Sequence, residues 1–174
     1  MGDTVAIVGE ICRLYIFMLL ISAAFGKSKN VGQFRENLVI SFSIPQWGSQ
    51  WMALIIIGAE WILALGMIVG GRITYLATIG SGLLFVIFTV VIAFALIQNR
   101  MINCNCFGSD NKLLSKYDLV RNLCVLGAIA FLLNLQLLPG LQLNTFIFTI
   151  PFAAIIFQIS MNLDILSSMM KQQD

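Results

Sequence analysis

The sequence contains no histidine and very few charged residues. Without histidine, imidazole metal sites, Ser-His-Asp triads and histidine proton shuttles are excluded. Charged residues make up only 10% of the 174 residues, far below the roughly 25% of an ordinary soluble domain. The formal net charge is only +2, and no dense cluster of lysine and arginine occurs, which argues against a nucleic-acid partner. Water is therefore not expected to be the main solvent around this chain.

Long polar stretches are also scarce. The two longest, residues 26–50 and 98–116, are only as long as loops, and the polar tail 167–174 is short. Hydrophobic residues make up 59% of the chain. We therefore predict one transmembrane domain over residues 1–174, in a multi-pass protein of the cell (inner) membrane with membrane lipid around it.

Five apolar runs are long enough to cross a bilayer core of about 30 Å, which takes roughly 20 helical residues. Strands of a membrane barrel would alternate between apolar and polar residues, whereas these runs are apolar on every face. We therefore predict an all-α integral membrane fold, a four-helix transmembrane bundle plus a fifth, C-terminal transmembrane helix. The predicted spans are residues 5–24, 52–69, 73–97, 119–137 and 141–163.

The segment Val31 to Ser43, between the first two spans, has apolar residues at near-helical spacing. It could lie in the membrane interface, but an ordinary amphipathic connector that packs on the bundle is the favoured interpretation. Trp47 and Trp51, just before the second span, are predicted to be interfacial anchors.

Basic residues are distributed unevenly between the predicted loops. Five spans place eight of them on the side opposite the N-terminus and only Arg72 on the N-terminal side. The positive-inside rule would make the richer side cytoplasmic. That side also carries a cysteine pair, and disulfide chemistry usually faces an oxidising compartment, so the orientation stays open. The eight residues are Lys27, Lys29, Arg35, Arg100, Lys112, Lys116, Arg121 and Lys171.

Cys104 and Cys106 are the strongest candidates for chemistry. They lie two residues apart in the polar loop 98–116, where a disulfide between them would close a small, strained ring, and strained disulfides exchange readily. Basic residues nearby could stabilise a thiolate. A fixed disulfide or two thiols without a role is the alternative. Met101 would add a third soft ligand for Cu(I), but this interpretation ranks lowest and we expect no metal site.

The other two cysteines are weaker candidates. Cys124 lies three residues after Arg121, on a shared helix face, and is either a resolving thiol or a small core residue. Arg121 and Asn122, together with Asp118, form a polar cluster beside the cysteine loop and are candidate supporting residues. Capping and snorkelling explain Asp118 and Arg121 adequately. Cys12 lies too far from the pair along its span and is predicted to be structural.

Two charges are predicted inside spans, Arg13 in the first and Glu60 in the second. An unpaired charge in the membrane is costly, so we predict that the two form an intramembrane pair. Such a pair either holds the first two spans together or forms part of a proton or quinone site.

Several of these residues together resemble a known family. Arg13, Phe25-Gly26-Lys27, Glu60 and Arg72 are similar to the DoxX-type membrane pattern. Cys104-x-Cys106-Phe107-Gly108 followed by Arg121-Asn122 sharpens the likeness to its MauE branch, the methylamine-utilisation membrane proteins and their redox-associated relatives. The resemblance covers roughly residues 10 to 135.

The resemblance implies a four-helix membrane protein linked to disulfide formation or thiol transfer, often beside a thioredoxin-like partner. Cys104 and Cys106 would be its redox pair. We therefore predict a membrane thiol-disulfide redox protein that serves an extracytoplasmic or thioredoxin-like protein, with a quinone as the candidate electron acceptor. The alternative is a non-catalytic accessory subunit of a larger membrane complex, for which the fifth span, with Asn144, Gln158 and Asp164, offers a docking surface.

Overall fold

The computed structural model of the chain describes residues 2–42, 45–97, 116–135 and 143–162, and nearly all of these are helical. In a bilayer, every backbone amide and carbonyl must find its partner inside the protein, which favours helices for apolar runs of this length. The helices are α1 (Gly2–Lys29), α2 (Val31–Phe42), α3 (Gln46–Val69), α4 (Gly71–Ile97), α5 (Lys116–Asn134) and α6 (Leu143–Met161).

The predicted all-α membrane fold is confirmed. Four helices, α1, α3, α4 and α5, are long and apolar enough to cross a membrane. The predicted fifth span coincides with α6, whose described apolar part, Ile147–Met161, is shorter. Whether α6 crosses the bilayer therefore stays a prediction.

Four helices form a closed bundle in which α1 packs against α3 and α5, and α4 packs against the same two helices. Small and branched apolar side chains from all four meet in one core. The fully buried members include Ile16, Leu19, Ala64 and Val125. Many large apolar side chains point outward from α3 and α4, as expected for helices whose solvent is lipid.

Helix α2 is a connector that packs on the outside of this bundle. Its residues Phe34 and Leu38 are buried against Ala53 and Ile57 of α3. The structure therefore agrees with the amphipathic-connector interpretation of this segment. Trp47, at the start of α3, is largely exposed, and its predicted role as an interfacial anchor stays untested.

A tight glycine turn joins α3 to α4. Gly70 and Gly71 have φ angles of 91° and 60°, a region that residues with a side chain rarely adopt. The Gly70 amide donates to Thr74 Oγ1 at 2.8 Å, and the same hydroxyl donates to the Gly66 carbonyl at 3.0 Å. The Gly66 Cα also approaches α4 closely, since a Cβ there would lie 2.8 Å from Ala77 Cβ. This turn lets two apolar helices lie in direct contact.

Helix α6 packs on α1. The Tyr15 hydroxyl of α1 and the Ser160 hydroxyl of α6 share a buried hydrogen bond of 2.7 Å. A hydroxyl pair between two apolar helices fixes their register, because each group would otherwise be left without a partner in a dry environment. Helix α6 is therefore held to α1 by a buried polar contact as well as by packing.

Candidate functional site

The cysteine pair lies in the connection between two helices of the bundle. Helix α4 ends at Ile97 and α5 begins at Lys116, while Cys104 and Cys106 lie outside the described residues. Arg100, Met101 and Lys112 lie outside them as well. The predictions for these residues are therefore not tested by the structure. What is described is the beginning of α5, which follows the cysteine segment directly in the chain.

The first two turns of α5 carry the predicted polar cluster. Arg121 is only 6% exposed, and its Nη2 donates to the Asp118 carboxylate at 2.8 Å. Its Nη1 approaches the Met161 sulfur of α6 at 3.9 Å. The guanidinium thus lies between α5 and α6, whereas the sequence suggested that snorkelling would explain this residue. The Asp118 carboxylate, itself 21% exposed, offsets part of the hydration that this guanidinium loses.

Asn122 is the least expected member of this cluster. Its side chain is fully buried, on the face of α5 that also buries Val125 and Ile129. Neither its Nδ2 nor its Oδ1 has a hydrogen-bond partner in the part of the chain that the structure describes. Buried amides are nearly always bonded, so an amide with two unpartnered atoms calls for an explanation.

The two described cysteines differ in their surroundings. Cys124 is exposed on α5, whereas Arg121, three residues earlier, is buried. An exposed side chain does not fit the alternative interpretation of Cys124 as a small core residue, and its interpretation as a resolving thiol stays a prediction. Cys12 is half-buried and packs against the core, in line with its predicted structural role.

The predicted pair between Arg13 and Glu60 does not form. Glu60 of α3 instead forms an ion pair with Lys27 of α1, and both side chains are 0% exposed. Lys27 and Arg13 are 14 residues apart on one helix, which is about 21 Å along its axis. The sequence placed Lys27 in a loop because its predicted first span ended at Ala24, but α1 continues to Lys29.

Aromatic rings complete the surroundings of the Lys27 ammonium. Its Nζ lies 5.5 Å from the centroid of Phe34 in α2 and 4.9 Å from that of Phe88 in α4. Ring faces at these distances attract a cation. The neighbouring Ser28 hydroxyl accepts a hydrogen bond of 3.4 Å from Trp61 Nε1. The ion pair therefore joins α1, α2, α3 and α4 at one point. Glu60 Oε2 has no hydrogen-bond partner among the described residues.

Arg13 has a partner on its own helix. Its Nη2 lies 2.8 Å from Glu10 Oε2, one turn earlier in α1. Both residues are buried, and an i, i+3 spacing lets two side chains meet on one helix face. Arg13 is therefore neutralised locally and leaves Glu60 to Lys27.

Lys27 is the residue that the sequence interpretation missed. A signal was available, because Phe25-Gly26-Lys27 and Glu60 were both part of the DoxX-type resemblance and a buried carboxylate needs a cation. Lys27 and Arg121 are buried in helices, so they drop out of the eight basic residues that were assigned to loops. The charge bias that pointed to a cytoplasmic cysteine loop is correspondingly smaller, and the orientation stays open.

Comparison with known proteins gives one result. The sequence model of a family described as methylamine utilisation protein MauE matches residues 5–135. The match includes Lys27, Glu60, the cysteine pair and Asn122. It does not test the wider DoxX-type likeness. No curated protein and no solved structure matches the chain.

Proposed function

This chain belongs to the MauE family, and on that premise we propose that it is a membrane-embedded thiol-disulfide redox protein. Its Cys104-x-Cys106 segment assists disulfide formation in, or electron transfer to, an extracytoplasmic or thioredoxin-like partner. The observation that carries this proposal is the cysteine pair within the matched region, in the segment between α4 and α5. At a coarser level, the chain is a multi-pass membrane protein of this family. Its placement in the inner cell membrane is part of the proposal.

The proposed exchange needs only two accessible sulfurs. A thiolate of the partner attacks one sulfur of the Cys104-Cys106 disulfide, a mixed disulfide forms, and the other cysteine leaves as a thiolate. The second thiol of the partner then displaces the first cysteine. The partner loses two electrons and two protons, and the cysteine pair becomes a dithiol. No metal is required for this chemistry.

Each cycle must return the cysteine pair to its oxidised form. We propose a membrane quinone as the acceptor, because it dissolves in the lipid around the bundle and accepts two electrons and two protons to become a quinol. The pair loses the same two electrons and two protons when its disulfide forms again. The overall reaction thus moves electrons from an extracytoplasmic dithiol to a lipid-soluble carrier.

The buried ion pair supports this proposal indirectly. Lys27 and Glu60 join α1, α2, α3 and α4, and α4 leads directly into the cysteine segment. A loop that carries out chemistry needs a rigid base, because small displacements of reacting atoms are costly. The ion pair holds α4 at Phe88, in the half of the helix that precedes the cysteine segment.

The experiment is differential alkylation of the cysteines in native membranes, with mass mapping. A membrane-impermeant reagent is applied to intact cells and then to lysed cells, before and after reduction. We expect Cys104 and Cys106 to form a reversible disulfide that is accessible from outside the cell. Cys12 and Cys124 serve as internal references and should stay reduced.

A reconstituted exchange assay provides the functional test. The Cys104→Ser, Cys106→Ser double variant should lose oxidation of a dithiol thioredoxin, whereas the Cys12→Ser, Cys124→Ser double variant should retain it. Full activity in the first variant would contradict the proposal. Stable co-purification with partner proteins, together with that result, would favour the accessory-subunit alternative.

A further inference from the structure

Helix α6 carries an amide side chain on its outer face. Gln158 is exposed, as are Ile155 and Asn162 on the same face. The opposite face, with Ala153 and Ser160, is buried where α6 packs on α1. The Gln158 amide therefore lies on the side of α6 that faces away from the bundle.

This amide lies at the depth of the middle of α1. Ser160, two residues after Gln158, shares a hydrogen bond of 2.7 Å with Tyr15. Tyr15 is 13 residues from Gly2 and 14 from Lys29, so either end of α1 is about 20 Å away along the helix axis. Helix α1 is long and apolar enough to cross a membrane, and half of the hydrocarbon core is about 15 Å thick. The Gln158 side chain is therefore surrounded by hydrocarbon and not by water.

Polar groups beside Gln158 already have partners. Nδ2 of Asn162 donates to the Gln158 backbone carbonyl at 2.9 Å, and the Ser160 hydroxyl is paired with Tyr15. The Gln158 side-chain amide forms no hydrogen bond with any residue that the structure describes. An amide in hydrocarbon without hydrogen bonds costs free energy, and lipid tails offer neither donors nor acceptors. The partner of this amide is therefore expected outside the bundle.

The chemistry of the amide identifies what that partner is. Nε2 donates and Oε1 accepts, so two glutamine side chains can each donate to and accept from the other. A two-fold axis along the membrane normal places the same residue of two copies at the same depth. A second copy of this chain therefore brings a matching amide to the level of Gln158, whereas any other protein would need a polar group at that depth on its own outer face.

We propose that the outer face of α6 is a homodimer interface, in which Gln158 pairs with Gln158 of the partner subunit. Apolar side chains flank the amide, since Phe152, Ile155 and Ile159 are 60%, 57% and 50% exposed. They pack against the second copy and keep the amide pair dry. Helices associate in lipid through such packing together with hydrogen bonds between side chains such as glutamine. This inference does not depend on the proposed cysteine chemistry.

The first test measures dimerisation of the full chain in phosphatidylcholine vesicles. Energy transfer between donor-labelled and acceptor-labelled copies is followed as the protein is diluted with lipid. The variants are Gln158→Leu, which removes the amide, and Gln158→Asn, which keeps it on a shorter side chain. The matched control is Asn134→Leu, because Asn134 is also an exposed amide but donates to the Ala130 carbonyl of its own helix at 2.8 Å.

We expect the wild-type protein to dimerise and Gln158→Leu to dimerise about tenfold more weakly, the effect of losing one or two hydrogen bonds in lipid. Gln158→Asn should be intermediate, and Asn134→Leu should dimerise like the wild type. Thermal unfolding of Gln158→Leu in detergent should be unchanged, because the amide forms no bond within the described bundle. A wild-type protein that stays monomeric at every dilution, unchanged dimerisation of Gln158→Leu, or equal weakening in the Asn134 control would each overturn the proposal.

A second test distinguishes a second copy from another membrane protein. All four native cysteines are replaced by serine, and Gln158→Cys is compared in native membranes with Leu83→Cys, on the exposed face of α4. Mild oxidation should crosslink Gln158→Cys into a dimer of this chain and leave Leu83→Cys monomeric. Crosslinking of Gln158→Cys only to a different protein, or equally efficient dimer formation by Leu83→Cys, would contradict the homodimer.

Discussion

Two ion pairs on α1 show how differently one helix can neutralise its charges. Glu10 and Arg13 lie one turn apart on the same helix, so their pairing needs only local helical geometry. Lys27 pairs with Glu60 across to α3, with both side chains fully buried and two phenylalanine rings around the ammonium. The first pair neutralises two buried charges within one helix, whereas the second fixes where the helices lie relative to each other.

The largest expected effect comes from breaking the pair between helices. Lys27→Met leaves the Glu60 carboxylate buried without a cation, and removal of one partner from a buried pair costs about 3 to 5 kcal/mol. The free energy of unfolding in detergent measures this loss. The Lys27→Met, Glu60→Leu double variant should recover most of the stability, because two apolar side chains need no partner. A double variant as unstable as the single one would contradict this account of the pair.

Breaking the local pair should cost less. Arg13→Ala leaves Glu10 without its partner, but Glu10 is 8% exposed and lies near the beginning of α1, so water can reach it more easily than Glu60. We expect a loss of about 2 kcal/mol in the free energy of unfolding. The comparison between the two pairs fails if this variant is less stable than Lys27→Met under the same conditions.

The hydrogen bond between Tyr15 and Ser160 joins two helices without any charge. Removing it therefore shows how much stability a contact between helices contributes when no charge is involved. Tyr15→Phe removes the hydroxyl that bonds to Ser160 and keeps the ring in the core. The expected loss is about 1 kcal/mol, seen as a small decrease in stability. Ser160→Ala should behave similarly, and combining the two should cost little more than either alone. Additive losses would show that the two hydroxyls do not act together.

The smallest effect is expected for the pair at the start of α5. Asp118→Asn removes the charge that faces Arg121, but the Asp118 side chain is 21% exposed, and partly solvated pairs contribute about 1 kcal/mol or less. Stability measured at low and at high salt should differ for the wild-type protein and hardly at all for the variant. A loss comparable to that of Lys27→Met would mean that this pair is effectively buried.

The sequence predicted the fold class well and the polar contacts poorly. Apolar runs of membrane-spanning length predicted the helices, because backbone amides and carbonyls in lipid can form their hydrogen bonds only within their own helix. The end of α1 was misplaced at Ala24, since a lysine after an apolar run is ordinarily a loop residue. Only Glu60, on another helix, makes Lys27 acceptable inside the bundle. For Cys124 the sequence left a core position open, and only the structure shows an exposed side chain, because sequence spacing does not say which face of α5 is covered.

By itself, the sequence determined that this protein is an all-helical membrane protein of the MauE family with a cysteine pair between two spans. Hydropathy and short motifs are local properties of the chain, and they can be recognised without coordinates. Only the tertiary structure decided that Lys27 neutralises Glu60, that Arg13 stays with Glu10, and that the Asn122 amide faces the core without a partner. Those outcomes depend on which helix faces touch, and lipid-soluble helices with apolar residues on every side leave that choice to packing and polar contacts.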